Sequence, residues 1–106
     1  MDLNSYQIST RQTVIYTAGI EYTALGLASE AGEVAGKVKK VIRDYDGILN
    51  DAHRAQIADE LGDVLWYVAR LADDMGIKLA DIAAGNIDKL SNRAERGVLG
   101  GSGDKR

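Results

Sequence analysis

The chain has no cysteine, no proline and one histidine, His53. Without cysteine there is neither a disulfide framework nor a thiolate metal site, and a single imidazole excludes a multi-histidine centre within one chain. A metal bound here is therefore held by oxygen. A long basic stripe is also missing: 13 Lys and Arg are interspersed with 16 Asp and Glu, for a net charge of −3. Nucleic acid is accordingly not an expected partner. No stretch approaches the roughly 18 apolar residues that cross a bilayer. The opening "MDLNSYQIST" lacks the basic-then-apolar pattern of a targeting segment. These absences predict a soluble, cytoplasmic protein with no membrane association.

What is present is helical periodicity. Alanine, leucine, isoleucine and valine recur at helical spacing through most of the 106 residues, and strand-like alternation is weak. The expectation is an all-α, four-helix bundle-like domain over residues 1–97, with a flexible glycine-rich tail over 98–106. A first helix is read from Ser5 to Thr17, with Asn4 or Ser5 as cap. A second spans Tyr22 to Arg43 and ends in the turn-rich "DYDGILND". The third begins near Ala52 with Asp51 as cap and stops at Gly76. The fourth runs from Leu79 to Arg96, before Gly97.

Inside these helices one phrase is written twice. "SEAGEV", residues 29–34, reappears thirty positions later as "DELGDV", residues 59–64. A helix-interior glycine costs roughly 1 kcal/mol relative to alanine, and like charges on one face repel, so neither copy favours the helix that carries it. The registers explain the repetition. Leu27, Ala31, Val34, Val38 and Val41 form one apolar seam, and Ile57, Leu61, Val64, Val68 and Leu71 form its counterpart. One position before each seam runs a polar stripe: Glu30, Glu33, Lys37 and Lys40 in the first helix, Glu60, Asp63, Tyr67 and Arg70 in the second. At about 1.5 Å rise per residue, Glu33 lies roughly 15 Å and Glu60 roughly 12 Å from the connecting turn. An antiparallel hairpin therefore sets Glu33 level with Glu60 and Glu30 level with Asp63. The four carboxylates can form one cluster.

Four carboxylates in a partly desolvated groove raise one another's pKa unless a cation compensates them. Oxygen ligands of this type select Mg²⁺, Mn²⁺ or Ca²⁺, and magnesium combines a few carboxylates with water and substrate phosphate oxygens. On the last helix, Asn86, Lys89, Arg93 and Arg96 share a face and suit a triphosphate. Taken alone, that row also fits a solvated helix face. Gly32 and Gly62 admit two readings: close approach of metal or substrate, or close packing of two helices.

"EAGE", Glu30 to Glu33, followed after 26 residues by "ELGD", Glu60 to Asp63, resembles the ExxE…ExxD signature of the MazG-like all-α nucleoside triphosphate pyrophosphohydrolases. The resemblance continues through "EVAGKVKK", "ELGDVLWYVARLADDMGI" and "NIDKLSNR", covering about Leu25 to Arg93. The closing "RGVLGGSGD" looks like that of small phage-type or mobile-element members. The resemblance implies Mg²⁺-dependent hydrolysis of an NTP or dNTP to the monophosphate and pyrophosphate, with Mn²⁺ as a substitute metal. It assigns Glu30, Glu33, Glu60 and Asp63 to metal binding and catalysis, and Asn86, Lys89 and Arg93 to substrate. Lys37, one turn beyond Glu33, joins them as a candidate substrate contact. Ser29 departs from the pattern, since many relatives carry a further glutamate there, and no second-metal or base role is assigned to this position. The family's sites form close to subunit interfaces, so a homodimer or homotetramer is expected. Trp66 and Tyr67 are read as packing residues beside the site, with a base pocket as the alternative, and His53 as an exposed helix-end residue. The tail carries a further reading as a lid over phosphates, with Lys105 or Arg106 as donors.

Two other classes are weighed against this one. A non-catalytic oligomerisation or regulatory module would bind a divalent ion for structure alone. A di-metal redox bundle requires Glu-x-x-His ligand pairs, and His53 has no acid three residues before it.

Overall fold

The computed structural model describes residues 1–17 and 19–106, and its regular elements are all helical. Helix α1 covers Leu3–Thr10 and tightens into a 3₁₀ turn over Arg11–Thr13. Helix α2 covers Ile20–Tyr45, α3 Asp51–Asp74 and α4 Leu79–Glu95.

The first helix is shorter and starts earlier than the sequence suggests. Its cap is Asp2, whose Oδ1 accepts from the Ser5 N–H at 2.7 Å. It stops before Val14, which is extended at φ −72° and ψ 127°. The β-branched residues Thr10, Thr13, Val14 and Ile15 are poor helix formers, and the chain leaves the helix among them.

Helices α2 and α3 form the antiparallel hairpin that the two acid motifs require, and their contact is the main one in the fold. Asp46 takes a left-handed conformation at φ 52°, and Gly47 follows at φ 73°. The Gly47 N–H donates to the Val41 carbonyl at 3.1 Å, closing α2. Asn50, not Asp51, caps α3: its Oδ1 accepts from the His53 N–H at 2.8 Å, while His53 Nδ1 accepts from the Asn50 N–H at 3.3 Å. His53 is thus a buried half of a reciprocal cap, with its ring edge-on to Tyr45 at 4.4 Å. The exposed helix-end position read for it does not hold, because the ring bonds back to its own cap and packs edge-on against Tyr45 across the turn.

The apolar seams are only partly enclosed. Val41 is buried and Leu27, Val34, Ile57, Val64, Val68 and Leu71 are half-buried, whereas Ala31, Val38 and Leu61 stay exposed. Among the described residues the buried apolar side chains are Val41, Ala69, Ala72 and Leu79. Much of the interior is polar and fully paired. Gln7 on α1 donates from Nε2 to the Ile77 carbonyl at 2.8 Å and accepts from the Leu79 N–H at 2.9 Å, and Asn4 accepts from Ala80 N–H at 3.1 Å. Two side chains of α1 therefore cap α4, whose own N-cap, Lys78, makes no side-chain capping bond.

Candidate active site

In the middle of the α2–α3 hairpin, Glu30, Glu60 and Asp63 each offer a carboxylate oxygen, and these oxygens lie within 4.8 Å of one another. The two motifs converge as their spacing requires. Glu30 and Glu60 are half-buried, and Asp63 is exposed. Burial raises the Glu30 pKa above the ordinary carboxylate range, and the charges of Asp63, Glu60 and Glu33 raise it further. Glu33 is exposed and lies outside the converging trio, although its charge reaches Glu30.

The donor chemistry fits a hard divalent cation. Oxygens on opposite sides of one ion at Mg²⁺ distances are about 4.2 Å apart, and at Ca²⁺ distances about 4.6–5.2 Å. A trio within 4.8 Å closes on either ion with small side-chain rotations, and no cationic side chain is paired with it among the described residues.

Other candidate residues are dispersed. Lys37 is half-buried and lines a cleft of about 220 Å³ at the turn end of the hairpin, with Lys40, His53 and Gln56. Asn86 and Lys89 are exposed on α4, a helix that packs on α1 and touches α3 only sparingly. Arg93, on the same helix, is 4 % exposed and turned toward the C-terminus, where it donates to the Asp104 carbonyl. Residues 98–106, read above as a tail, curl over the end of α4. Arg106 donates to the carbonyls of Leu99 and Gly100, both at 3.0 Å.

Beside the acids the aromatic residues form a continuous run that sequence spacing does not disclose. The Tyr67 ring sits between Trp66, edge-on at 5.0 Å, and Tyr22, tilted at 6.4 Å, and Tyr22 in turn stacks on Tyr16 at 4.6 Å. Trp66 Nε1 donates to Thr13 Oγ1 at 3.0 Å, which ties the segment after α1 to α3. Tyr6 on α1 is a neighbour that sequence reasoning missed. Burial, then the Asp63 charge, raises its phenol pKa. No local motif marks it, since its relation to Asp63 arises only from the docking of α1 on α3.

Gly32 and Gly62, the glycines inside the repeated motifs, have nothing within 4 Å of where a Cβ would stand. Close packing of α2 on α3 is therefore not their role. Gly26 is the glycine over which the two helices approach: a Cβ there would lie 2.5 Å from Tyr67 Cδ1 and closer still to Cε1 and Cζ.

An all-helical hairpin that presents convergent carboxylates from paired E-x-x-E and E-x-x-D motifs defines a class of divalent-metal proteins. Comparison with known families places the chain within it: residues 19–98 match the MazG nucleotide pyrophosphohydrolase domain, and the protein belongs to that family. It is similar along its whole length to Gene 37 protein of Mycobacterium phage L5, at 43 % identity over 114 aligned positions covering 100 % of both chains. No solved structure matches the chain. No described helix is long and apolar enough to cross a membrane.

Proposed function

We propose that this protein is a Mg²⁺-dependent nucleoside triphosphate pyrophosphohydrolase that removes or balances (deoxy)nucleotides, with Mn²⁺ able to replace Mg²⁺. The observation that carries the reading is the convergence of Glu30, Glu60 and Asp63 in a chain of this family. These three carboxylates would hold the cation. When bound, the metal neutralises phosphate oxygens and acidifies water. Glu33, outside the trio and exposed, accepts the proton of the attacking water. The water oxygen bonds to the α-phosphorus, the bond to the α,β-bridging oxygen breaks, and pyrophosphate leaves with the electron pair. Lys37, one turn beyond Glu33 on α2, is the side chain that would neutralise the departing charge.

Asn86 and Lys89, exposed on α4, complete the substrate site through assembly, and Arg93, buried and bonded to the Asp104 carbonyl, takes part only if the C-terminal segment releases it. A single chain leaves α4 away from the hairpin while exposing Ile82, Ile87 and Leu90 on it at 39 %, 62 % and 39 %. On α2, Leu25 and Ile42 are exposed at 72 % and 64 %. Apolar surface on this scale in so small a domain favours a homodimer or homotetramer that covers it.

Incubation with Mg²⁺ and a panel of ordinary and modified NTPs and dNTPs tests the reaction. Monophosphate and pyrophosphate are the expected products. Glu33→Gln and Glu60→Gln should each abolish their release while helical content is unchanged. Full Mg²⁺-dependent turnover by either variant removes that residue from the site. Stabilisation by Mg²⁺ with no turnover of any nucleotide favours the non-catalytic module.

A further inference from the structure

The antiparallel register that sets Glu30 against Asp63 continues one turn further from the hairpin bend, where Gly26 stands four residues before Glu30 and Tyr67 four residues after Asp63. At this level the Tyr67 ring lies in the notch that the missing Gly26 side chain leaves in α2. A methyl group on Gly26 would fall 2.5 Å from the ring's Cδ1, whereas non-bonded carbons rest at about 3.5–4.0 Å. The ring is flanked by Trp66, edge-on at 5.0 Å, and by Tyr22 at 6.4 Å, which limit the directions in which it can yield. Adding the methyl therefore pushes the ring and α2 apart by about 1 Å or more.

That displacement falls one helical turn from a carboxylate trio whose oxygens all lie within 4.8 Å of one another, close enough to gather on Mg²⁺ only while the two helices keep this spacing. Mg²⁺ demands near-ideal octahedral geometry at about 2.0–2.1 Å, while Ca²⁺ accepts flexible coordination at about 2.3–2.6 Å. We infer that the Gly26–Tyr67 notch is a positioning device that sets the spacing of α2 and α3 at the carboxylate layer, and thereby fits the trio to a small divalent cation. Neither residue touches the metal: Tyr67 acts through the helix spacing and Gly26 by having no side chain. The inference rests on the metal-site reading above and deepens it.

The test measures binding of Mg²⁺, Mn²⁺ and Ca²⁺ alone to the full-length protein by calorimetry, without nucleotide, for wild type, Gly26→Ala, Tyr67→Ala and Gly26→Ala/Tyr67→Ala. The single Gly26→Ala change should weaken Mg²⁺ and Mn²⁺ binding about tenfold or more, with a smaller loss for Ca²⁺. Removing the ring as well should restore Mg²⁺ binding to within a few-fold of Tyr67→Ala. Wild-type Mg²⁺ affinity in Gly26→Ala overturns the inference, as does an equal loss for all three ions. A double variant that folds but binds as poorly as Gly26→Ala overturns it too. Should Gly26→Ala alone fail to fold, recovery of both helical content and Mg²⁺ binding in the double variant supports the same conclusion. A wild type that binds no divalent ion overturns the metal site itself along with its spacer. Intact wild-type binding unchanged by Gly26→Ala overturns the spacer alone.

Discussion

Helix α3 carries two groups of acids ten and more residues apart, and they meet opposite fates. Toward its C-terminus, Asp73 and Asp74 are matched by cations: Arg70 donates to Asp73 at 2.7 Å and to Asp74 at 3.3 Å, and Arg11 adds a two-point contact to Asp73 at 2.9 and 3.0 Å. Tyr16 completes the group by donating to Asp74 at 3.0 Å. Near its middle, Glu60 and Asp63 face Glu30 with no side-chain cation paired to them among the described residues. The first group joins the N-terminal segment to α3 and is internally satisfied. The second leaves negative charge unbalanced in a half-buried groove, which costs stability unless a cation arrives. One set of acids on α3 is thus compensated within the chain, and the other, the set proposed to hold the cation, is left bare among the described residues.

Breaking the compensated group should have the largest effect on folding. The Arg70 side chain is only 7 % exposed. Arg70→Met would strand Asp73 and Asp74 and cost about 3–5 kcal/mol, the range for removing one partner of a buried ion pair. Urea denaturation measures it, and a loss below about 1 kcal/mol would show that Arg11 alone suffices.

The bare group should behave in the reverse sense. Glu30→Gln removes one of the crowded charges, so the metal-free protein should melt at the same temperature or higher. The stabilisation by Mg²⁺ should disappear, and pyrophosphate release should fall by about a hundredfold or more. A variant that melts lower without metal and still responds to Mg²⁺ contradicts the contrast.

The gentlest test is pH. Hydrogen bonding and charge from Arg11, opposed in part by burial and aided by Arg70, hold the Asp73 carboxyl below its ordinary value of 3.8. Its contribution to stability is therefore complete above that pH and is lost as pH falls through the lower folded-state value. Glu30 shifts upward from 4.5, so the metal-free fold binds its proton more tightly than the unfolded chain does. Stability from this group is greatest below 4.5 and declines as pH rises through the raised folded-state value. Thermal melts of metal-free protein across the acid range should thus show two opposed slopes. Glu30→Gln should remove the upper one and leave the lower one in place.

Much of this arrangement was legible in the residues themselves. The thirty-residue repeat places the acids on matching flanks of two helices, and the rise per residue sets Glu30 beside Asp63. Left-handed Gly76 follows the end of α3, as its position suggested. Helix starts were less legible, because Asp2 and Asn50 act as caps from just outside the segments that periodicity defines. His53 illustrates the same limit: its side chain serves its own cap and a tyrosine across the turn, and neither bond leaves a periodic signature.

By itself the sequence determined the helical class, the oxygen-only character of any metal site, and the pairing of two acid motifs on one hairpin. Those properties follow from residue type and from 3.6-residue periodicity, both of which are local. Tertiary structure alone decided that Glu30, Glu60 and Asp63 converge while Glu33 stands apart, that Arg93 turns to the C-terminus, and that Gly26 rather than Gly32 or Gly62 lets the helices approach. Each of these depends on how one helix is rotated and spaced against another, and contacts between residues far apart in the chain set that rotation.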